Sequence, residues 1–292
     1  MLYRAISAPL QKDVGNYIKI SSIGYAESKD LINFENRRFF FGPEYHWEAY
    51  ATEDPRISKI DGKYYITYTA VSKWPPDPNS VKLALAVTED FKEYKKLGII
   101  CPINSKAGAF FPEKINGHYA MILTIFPDLP PAKIILVYFN DIKDLLDPYF
   151  WKEQLSYPER LEKEIVIEGK PFVEVGTNPI YTDEGWLMFI PDIIYKNGNF
   201  YEFRISAILL DLEDPRKIIA YSKKPVLIPE LEYETKGRSY PTTKIAMPTG
   251  ILEEDDIIYV YYGASDLYIS VAYVEKERIL KYLLKDGRTK KV

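Results

Sequence analysis

Four of the prolines mark similar extended stretches along the chain, each flanked by charged or polar residues. They are Pro55, Pro112, Pro179 and Pro248. Carboxylates can bond to sugar hydroxyls, and two carboxylates on either side of a glycosidic bond can supply the acid and the base of glycosyl transfer. The candidate binding and catalytic residues near these prolines and on adjacent strands are Arg4, Glu53, Asp54, Arg56, Lys106, Glu113, Glu174, Asn178 and Asp266. One alternative stays open, in which Glu53, Arg56 and their equivalents are buried ion pairs that only hold strands together.

The prolines mark an internal repeat that must position these residues. Four segments share an extended stretch with a proline, a turn and an aromatic-rich strand: they are 53–70, 109–125, 177–192 and 247–264. Their turns lie between alternating apolar residues, as in β-hairpins, and are predicted at Asp61-Gly62, Asn116-Gly117, Glu184-Gly185 and Asp255-Asp256. Another strand is predicted after each segment, and residues 2–6 with 19–30 form a fifth copy.

This repetition predicts an all-β fold, a five-bladed β-propeller in which each sheet packs against its neighbours. A two-sheet sandwich is the alternative. Met1 lies where the second strand of the first copy should begin, so the first blade is predicted to lack its innermost strand. We expect one propeller domain over residues 1–284 and a basic tail over 285–292. Because innermost strands converge on the propeller axis, their polar residues should share one pocket.

Composition restricts the class of protein. The chain carries 38 Lys and Arg against 42 Asp and Glu, a net charge of −4 that favours neither a nucleic-acid nor a membrane partner. No apolar run is long enough to span a bilayer and no signal peptide is evident, so a cytoplasmic protein is expected. A single cysteine and two histidines argue against a metal centre, and no cofactor is expected. The abundance of Lys, Glu and Ile favours a thermophilic source.

Several motifs resemble those of one known family. They are EDPRI (53–57), AFFPEKINGHYAM (109–121), NPIYTDEGWL (178–187), MPTG (247–250) and YYGASD (261–266), and their order and spacing are similar to those of glycoside hydrolase family 130. The resemblance implies a five-bladed propeller that acts on β-mannosides as a phosphorylase or a hydrolase.

The resemblance also implies roles for single residues. Asp54 matches the family's general acid, which is thought to act through the 3-hydroxyl of the sugar. Asp266 matches a ligand of mannosyl hydroxyls, and Arg4 matches an arginine that lines the donor site. Glu53 and Arg56 would orient Asp54, contact the sugar or serve only the structure, and these options stay open.

The sequence departs from the family where its phosphorylases bind phosphate, a dianion that needs several charge-assisted hydrogen bonds. Lys106 retains one basic position, but Thr124, Glu174 and Pro191 fall in stretches that align with basic residues of the family. A carboxylate at position 174 would repel a phosphate charge by about 4 kcal/mol at roughly 4 Å and an effective dielectric of about 20. The same carboxylate could instead deprotonate a water molecule.

The main hypothesis is therefore an inverting β-mannosidase with Asp54 as the acid, Glu174 as the base and Asp192 as the second choice of base. One alternative is a β-mannoside phosphorylase that releases mannose 1-phosphate, because Lys106 is retained. Another is a non-catalytic sugar-binding propeller, since a fold does not establish an activity. The expected partner is a β-mannoside oligosaccharide or glycoconjugate, and a second copy of the chain could complete the first blade.

Overall fold

The computed structural model of the chain describes residues 1–13, 16–156, 164–167, 170, 172–238 and 241–286. Its strands form five successive antiparallel groups of three or four strands that are consecutive or nearly consecutive in the chain, and parallel bridges join the first group to the second and the fourth to the fifth. The predicted five-bladed, all-β architecture is therefore confirmed, with each group as one blade.

The strands of the first two blades are β1 (Leu2–Ile6), β4 (Ser21–Glu27) and β5 (Glu35–Phe41), then β6 (Ala51–Ile60), β7 (Lys63–Val71), β8 (Val81–Thr88) and β9 (Lys95–Ile99). A separate hairpin of β2 (Leu10–Asp13) and β3 (Asn16–Ile18) lies between β1 and β4 in the chain. The third blade has β10 (Ser105–Phe110), β11 (Tyr119–Ile125) and β12 (Lys133–Phe139). The last two have β13 (Ile180–Thr182), β14 (Gly185–Lys196), β15 (Asn199–Leu210) and β16 (Ile218–Tyr221), then β17 (Lys244–Glu254), β18 (Ile257–Ala264) and β19 (Tyr268–Glu275).

Tight hairpins join the first and second strands of the repeated blades. The backbone angle φ is +49° at Asp61 and +81° at Gly62, and it is +53° at Asn116 and +84° at Gly117. Positive φ at both central residues is what a type I′ turn requires, and Asp-Gly and Asn-Gly supply it at low cost. These turns all lie at one end of the propeller, which leaves the other end to the loops that start the innermost strands.

The apolar core lies between neighbouring blades. Leu85 of β8 and Phe110 of β10 belong to the cluster between the second and third blades. Phe111 packs edge-on against Trp186 of β14, with ring centroids 5.1 Å apart, in the cluster between the third and fourth blades. A strand in the middle of a blade packs on both faces against the neighbouring blades. Such strands are therefore apolar at nearly every position, as in Tyr119–Ile125.

The first and fifth blades meet through side chains. The Tyr261 hydroxyl on β18 donates a hydrogen bond of 2.8 Å to the backbone carbonyl of Leu31, between β4 and β5. The Tyr261 ring also packs edge-on against Phe34, with centroids 5.8 Å apart. Among the described residues no strand ladder joins these two blades, whereas parallel bridges join β4 to β6 and β15 to β17.

The first blade agrees with the sequence prediction. β4 makes a parallel bridge to β6 as β15 does to β17, and β15 is the third strand of its blade, so β4 is in the third position and its partner β1 is in the second. Among the described residues no strand pairs with the other edge of β1, so the innermost position of this blade is empty as predicted, and Arg4 on β1 reaches Glu53 on β6. The first blade has three strands, like the third and the fifth.

Helices are few. They are α1 (Pro148–Ser156), α2 (Glu232–Thr235) and α3 (Lys276–Asp286), with short 3₁₀ segments at His46–Glu48 and Ile142–Leu146. Ile279, Leu280 and Leu283 of α3 are buried in the cluster between the fourth and fifth blades. Lys285 therefore belongs to a helix and not to the predicted basic tail, of which residues 287–292 lie outside the described residues. None of the described helices is long and apolar enough to cross a bilayer.

Candidate active site

A β-bulge presents Asp54 at the start of the innermost strand of the second blade. The register of β6 against β7 shifts between Glu53 and Arg56, and Asp54 has a φ of +53°. A left-handed residue other than glycine costs on the order of 1–3 kcal/mol and persists where the surroundings impose it, often at functional sites. Bulges also redirect side chains. The strand is thus irregular at the position of the predicted acid.

The same irregularity recurs on the innermost strand of the third blade. The register of β10 against β11 shifts between Lys106 and Ala109, and Ala107 has a φ of +52°. Ala107 therefore stands in β10 where Asp54 stands in β6, directly after a charged residue. The recurrence indicates that the blade architecture shapes both bulges, and of these two the bulge of the second blade carries the carboxylate.

Charges of alternating sign surround the axis at this level. The Arg4 guanidinium of the first blade contacts Glu53 of the second, with 2.5 Å between Nη2 and Oε1. The Lys106 ammonium of the third blade contacts Glu174 at the start of the fourth, with 3.1 Å between Nζ and Oε2. All four side chains are partly buried. We call Arg4, Glu53, Asp54, Lys106 and Glu174 the charged ring.

Arg56 lies beneath this ring and is 2% exposed. Its Nε and Nη2 donate to the carbonyls of Gly176 and Val175 at 2.7 and 2.9 Å, and its Nη1 donates to the Asp54 carbonyl at 3.1 Å. Arg56 thus ties the bulge of the second blade to the strand that carries Glu174. Backbone carbonyls accept from three of its nitrogens, which favours a positioning role among those left open by the sequence.

Glycine at 176 is needed for this link. A β-carbon at Gly176 would come within 2.0 Å of the Phe189 carbonyl oxygen on β14, a distance that no side chain tolerates. The neighbouring Thr177 N–H donates to the same oxygen at 2.9 Å, and the Thr177 hydroxyl accepts from the Phe189 N–H at 3.0 Å. The segment before β13 therefore pairs closely with β14 and brings Glu174 toward the axis.

Burial and neighbouring charges shift the pKa values of two residues in the charged ring. Burial raises the pKa of Glu53, and the negative charge of Asp54 raises it further, while Arg4 partly opposes the shift. Burial alone would lower the pKa of Lys106, but attraction to Glu174 and Asp54 outweighs it and raises that pKa. Lys106 therefore keeps its positive charge, and Glu53 holds a proton more readily than an ordinary glutamate.

Two predicted residues lie beside the ring and have their own partners. The Asn178 amide donates to the Ser58 hydroxyl of β6 at 2.6 Å, which links the second and fourth blades. Asp192 on β14 is 5% exposed and forms an ion pair with Lys170. The sequence analysis missed Lys170 because it precedes the repeated segment and matches no motif.

Asp266 reaches the same end of the propeller from the fifth blade. It lies in the turn between β18 and β19 with a φ of +55°. Its neighbour Ser265 is buried and donates its backbone N–H to the Ile245 carbonyl at the start of β17, at 2.9 Å. Gly237 packs against Ser265 so closely that a β-carbon would come within 2.2 Å of it.

Glu113 is not brought to the ring. It is exposed in the loop that follows β10, beyond the end of the strand opposite to Lys106. The sequence grouped it with the others because it follows Pro112, but the bulge that carries the charge precedes that proline by several residues. A cavity of about 730 Å³ lies at the same far end, lined by His118, Tyr138, Asp144 and Arg216 among others.

The chain is similar to known enzymes over nearly its whole length. The model of glycoside hydrolase family 130, described as β-1,4-mannooligosaccharide phosphorylase, matches residues 4–285. A 1,2-β-oligomannan phosphorylase of Thermoanaerobacter sp. (strain X514) is 36% identical over 281 residues, which is 96% of this chain and 86% of the relative. A β-1,2-mannobiose phosphorylase of the same organism is 36% identical over 274 residues, 92% of this chain and 82% of the relative.

A solved structure shows the same fold. It is the β-1,2-mannobiose phosphorylase from Listeria innocua in complex with β-1,2-mannobiose, which superposes with a TM-score of 0.71 at 26% identity. The match covers 91% of this chain and 70% of that chain. The similarity therefore extends over all five blades.

Proposed function

Because this chain belongs to glycoside hydrolase family 130, a family of mannoside-processing enzymes, we propose that it is a phosphorylase of β-1,2-linked mannosides. It would transfer the terminal mannosyl group to inorganic phosphate. The observation that carries the proposal is the similarity to two phosphorylases of β-1,2-linked mannosides over more than nine-tenths of the chain. The comparisons thus favour the phosphorylase alternative of the sequence analysis over its hydrolase hypothesis.

The charged ring supports the acid step of such a transfer. Asp54 is held on a bulge whose backbone Arg56 fixes, and it lies within the electrostatic reach of Lys106. In the reaction, the bond between the anomeric carbon and the glycosidic oxygen breaks while a bond from that carbon to a phosphate oxygen forms. The departing oxygen takes a proton that Asp54 supplies, directly or through a sugar hydroxyl.

Lys106 supports the phosphate step. Its side chain remains 29% exposed and forms an ion pair with Glu174. Its raised pKa keeps it charged, as a phosphate ligand must be. An incoming phosphate would exchange places with Glu174 as the partner of this ammonium, so Glu174 would weaken phosphate binding without preventing it.

The experiment is a product assay with β-1,2-mannobiose in the presence and absence of phosphate. We expect mannose 1-phosphate and mannose in equal amounts, formed only when phosphate is present. Mannose released at the same rate without phosphate would contradict phosphorolysis.

Hydrolysis is the second candidate, and one feature favours it. At one position aligned with a basic residue of the family, the Thr124 hydroxyl is buried and accepts the Val175 N–H at 2.9 Å, so no cation stands there. Glu174, the adjacent residue, would then activate water as the base of an inverting hydrolase. Phosphate-independent release of mannose in the same assay would establish this candidate, and binding without any product would leave the sugar-binding alternative.

A further inference from the structure

An exposed cluster of three aromatic rings lies at the hairpin that joins β14 to β15, which contributes two of them, and the third precedes β13. The Phe172 ring lies 4.8 Å from the Tyr195 ring and 5.2 Å from the Phe200 ring, and Tyr195 and Phe200 are 5.3 Å apart. Tyr195 is 44% exposed and Phe200 is 41% exposed. Such rings normally pack into a core, so their joint exposure indicates a surface that binds a ligand or another molecule.

The cluster continues directly from the candidate active site. Phe172 precedes Glu174 by two positions, and Tyr195 follows the buried Asp192 by three positions along β14. The base of the hairpin pairs in parallel with the innermost strand of the fifth blade, where Phe203 lies opposite Ile245. The hairpin therefore rises from the end of the propeller at which the charged ring lies.

The hairpin is fixed in place before any ligand arrives. The Tyr195 hydroxyl donates to the Gly198 carbonyl at 2.6 Å across the Asn197-Gly198 turn. The Thr243 hydroxyl donates to the Phe200 carbonyl at 2.9 Å and anchors the other strand. Because the Tyr195 hydroxyl is already used, the cluster offers ring faces instead of polar groups. A rigid apolar surface loses little conformational entropy on binding.

We propose that Phe172, Tyr195 and Phe200 form a platform for mannosyl units beyond the bond that is cleaved, so that the enzyme prefers longer β-mannoside chains. The proposal rests on the proposed function, because it assigns the chain of the same substrate to this surface. The apolar faces of sugar rings would lie on the aromatic rings, while sugar hydroxyls stay in water. The rings would then act as specificity-determining residues for chain length.

The test uses Phe200→Ala, which removes one of the three mutually contacting rings. We expect kcat/KM for β-1,2-mannotetraose to fall about tenfold, equivalent to about 1.4 kcal/mol, and kcat/KM for β-1,2-mannobiose to change by less than about twofold. Phe200→Trp, which keeps a stacking face, should restore the preference for the longer chain. Tyr273→Ala on β19 is the matched control, because that ring is 66% exposed but belongs to the outermost strand of the fifth blade.

Equal changes for both substrates in Phe200→Ala, without rescue by Phe200→Trp, would overturn the platform while leaving the proposed function intact. If the wild type cleaves neither substrate, the proposed function fails, and calorimetric titration still tests the platform. Tighter binding of the tetraose than of the biose in the wild type, lost in Phe200→Ala, would support it. A larger particle mass for the wild type than for Phe200→Ala by light scattering, without dependence on chain length, would assign the surface to self-association and overturn the proposal.

Discussion

Two lysine–glutamate pairs in this molecule have the same chemistry and opposite surroundings. Lys96 and Glu48 meet between the first and second blades, where their side chains are 1% and 0% exposed. Glu48 also accepts the Tyr68 hydroxyl at 2.7 Å and the Glu44 N–H at 3.0 Å, and Lys96 also donates to the Gly42 carbonyl. Lys106 and Glu174 in the charged ring are 29% and 12% exposed.

The difference shows what distinguishes a structural ion pair from one that can serve a ligand. A buried pair offsets the loss of hydration only when its remaining donors and acceptors are also bonded, as they are around Glu48. The pair in the ring stays partly hydrated and keeps room for another partner. Changes to the first pair should therefore alter folding, and changes to the ring should alter catalysis.

The largest effect should come from Asp54→Asn. The substitution keeps the shape of the side chain and the backbone bond to Arg56 but removes the acidic proton. We expect turnover of β-1,2-mannobiose to fall by about 10²–10⁴-fold, with the thermal midpoint within about 2 °C of the wild type. Steady-state kinetics and a thermal melt measure the two quantities. A large loss of stability with retained specific activity would reverse the division between the two regions.

Lys96→Met should have the largest effect on folding. It leaves the Glu48 carboxylate buried without its cation, which costs about 3–5 kcal/mol and lowers the thermal midpoint by about 6–20 °C. Activity per folded molecule should stay within about twofold. Lys63→Met is the control, because its partner Glu89 is exposed and such pairs contribute about 0–1 kcal/mol. Similar melting curves for both variants would contradict the assignment of Lys96 as a structural clamp.

Glu174→Gln should separate the two candidate functions with little effect on stability. In a phosphorylase it frees Lys106, and the KM for phosphate should fall by about fivefold, or about 1 kcal/mol. In a hydrolase it removes the base, and mannose release should fall by at least about 10²-fold. Initial rates over a range of phosphate concentrations distinguish these outcomes, and an unchanged KM with unchanged kcat would show that Glu174 serves neither step.

The smallest effect concerns the pH dependence of stability through Glu53. Since burial and Asp54 raise its pKa above the usual 4.5, the folded state binds this proton more readily than the unfolded state. Stability from this group is full at low pH and is lost as pH rises through the raised pKa. Urea unfolding between about pH 4 and 7 should show the wild type losing stability relative to Glu53→Gln as pH rises. A difference that stays constant or grows with pH would contradict the shift.

Much of the fold follows from local patterns. The Asp61-Gly62 and Asn116-Gly117 turns could be predicted because these dipeptides tolerate positive φ. The strands beside them could be predicted from their alternating apolar residues. The missing innermost strand of the first blade could also be predicted, because the repeat shows which strand of a blade each segment corresponds to. The contact of Arg4 with Glu53 on a distant strand could not, since pairing of that kind leaves no periodic signal in the chain.

The candidate site was only partly predictable for a similar reason. Repeat position brought Glu53, Lys106 and Glu174 together correctly, but nothing in the sequence showed that Lys106 would pair with Glu174. The hydrolase hypothesis treated Glu174 as an unpaired charge, and the pairing weakens that electrostatic argument. Lys96 lies in a strand next to another lysine, so its burial could not be inferred without knowing what packs over it.

The seam between the first and fifth blades closes the propeller without a backbone ladder. Tyr261 on one side contacts Leu31 and Phe34 on the other, so among the described residues this joint depends on side chains, as do the two joints of the third blade. Arg4 and Asp266 belong to the blades on its two sides, so widening the joint would move these two sugar-binding candidates apart. The contacts that close the propeller therefore lie between the two blades that carry these candidate sugar-binding residues.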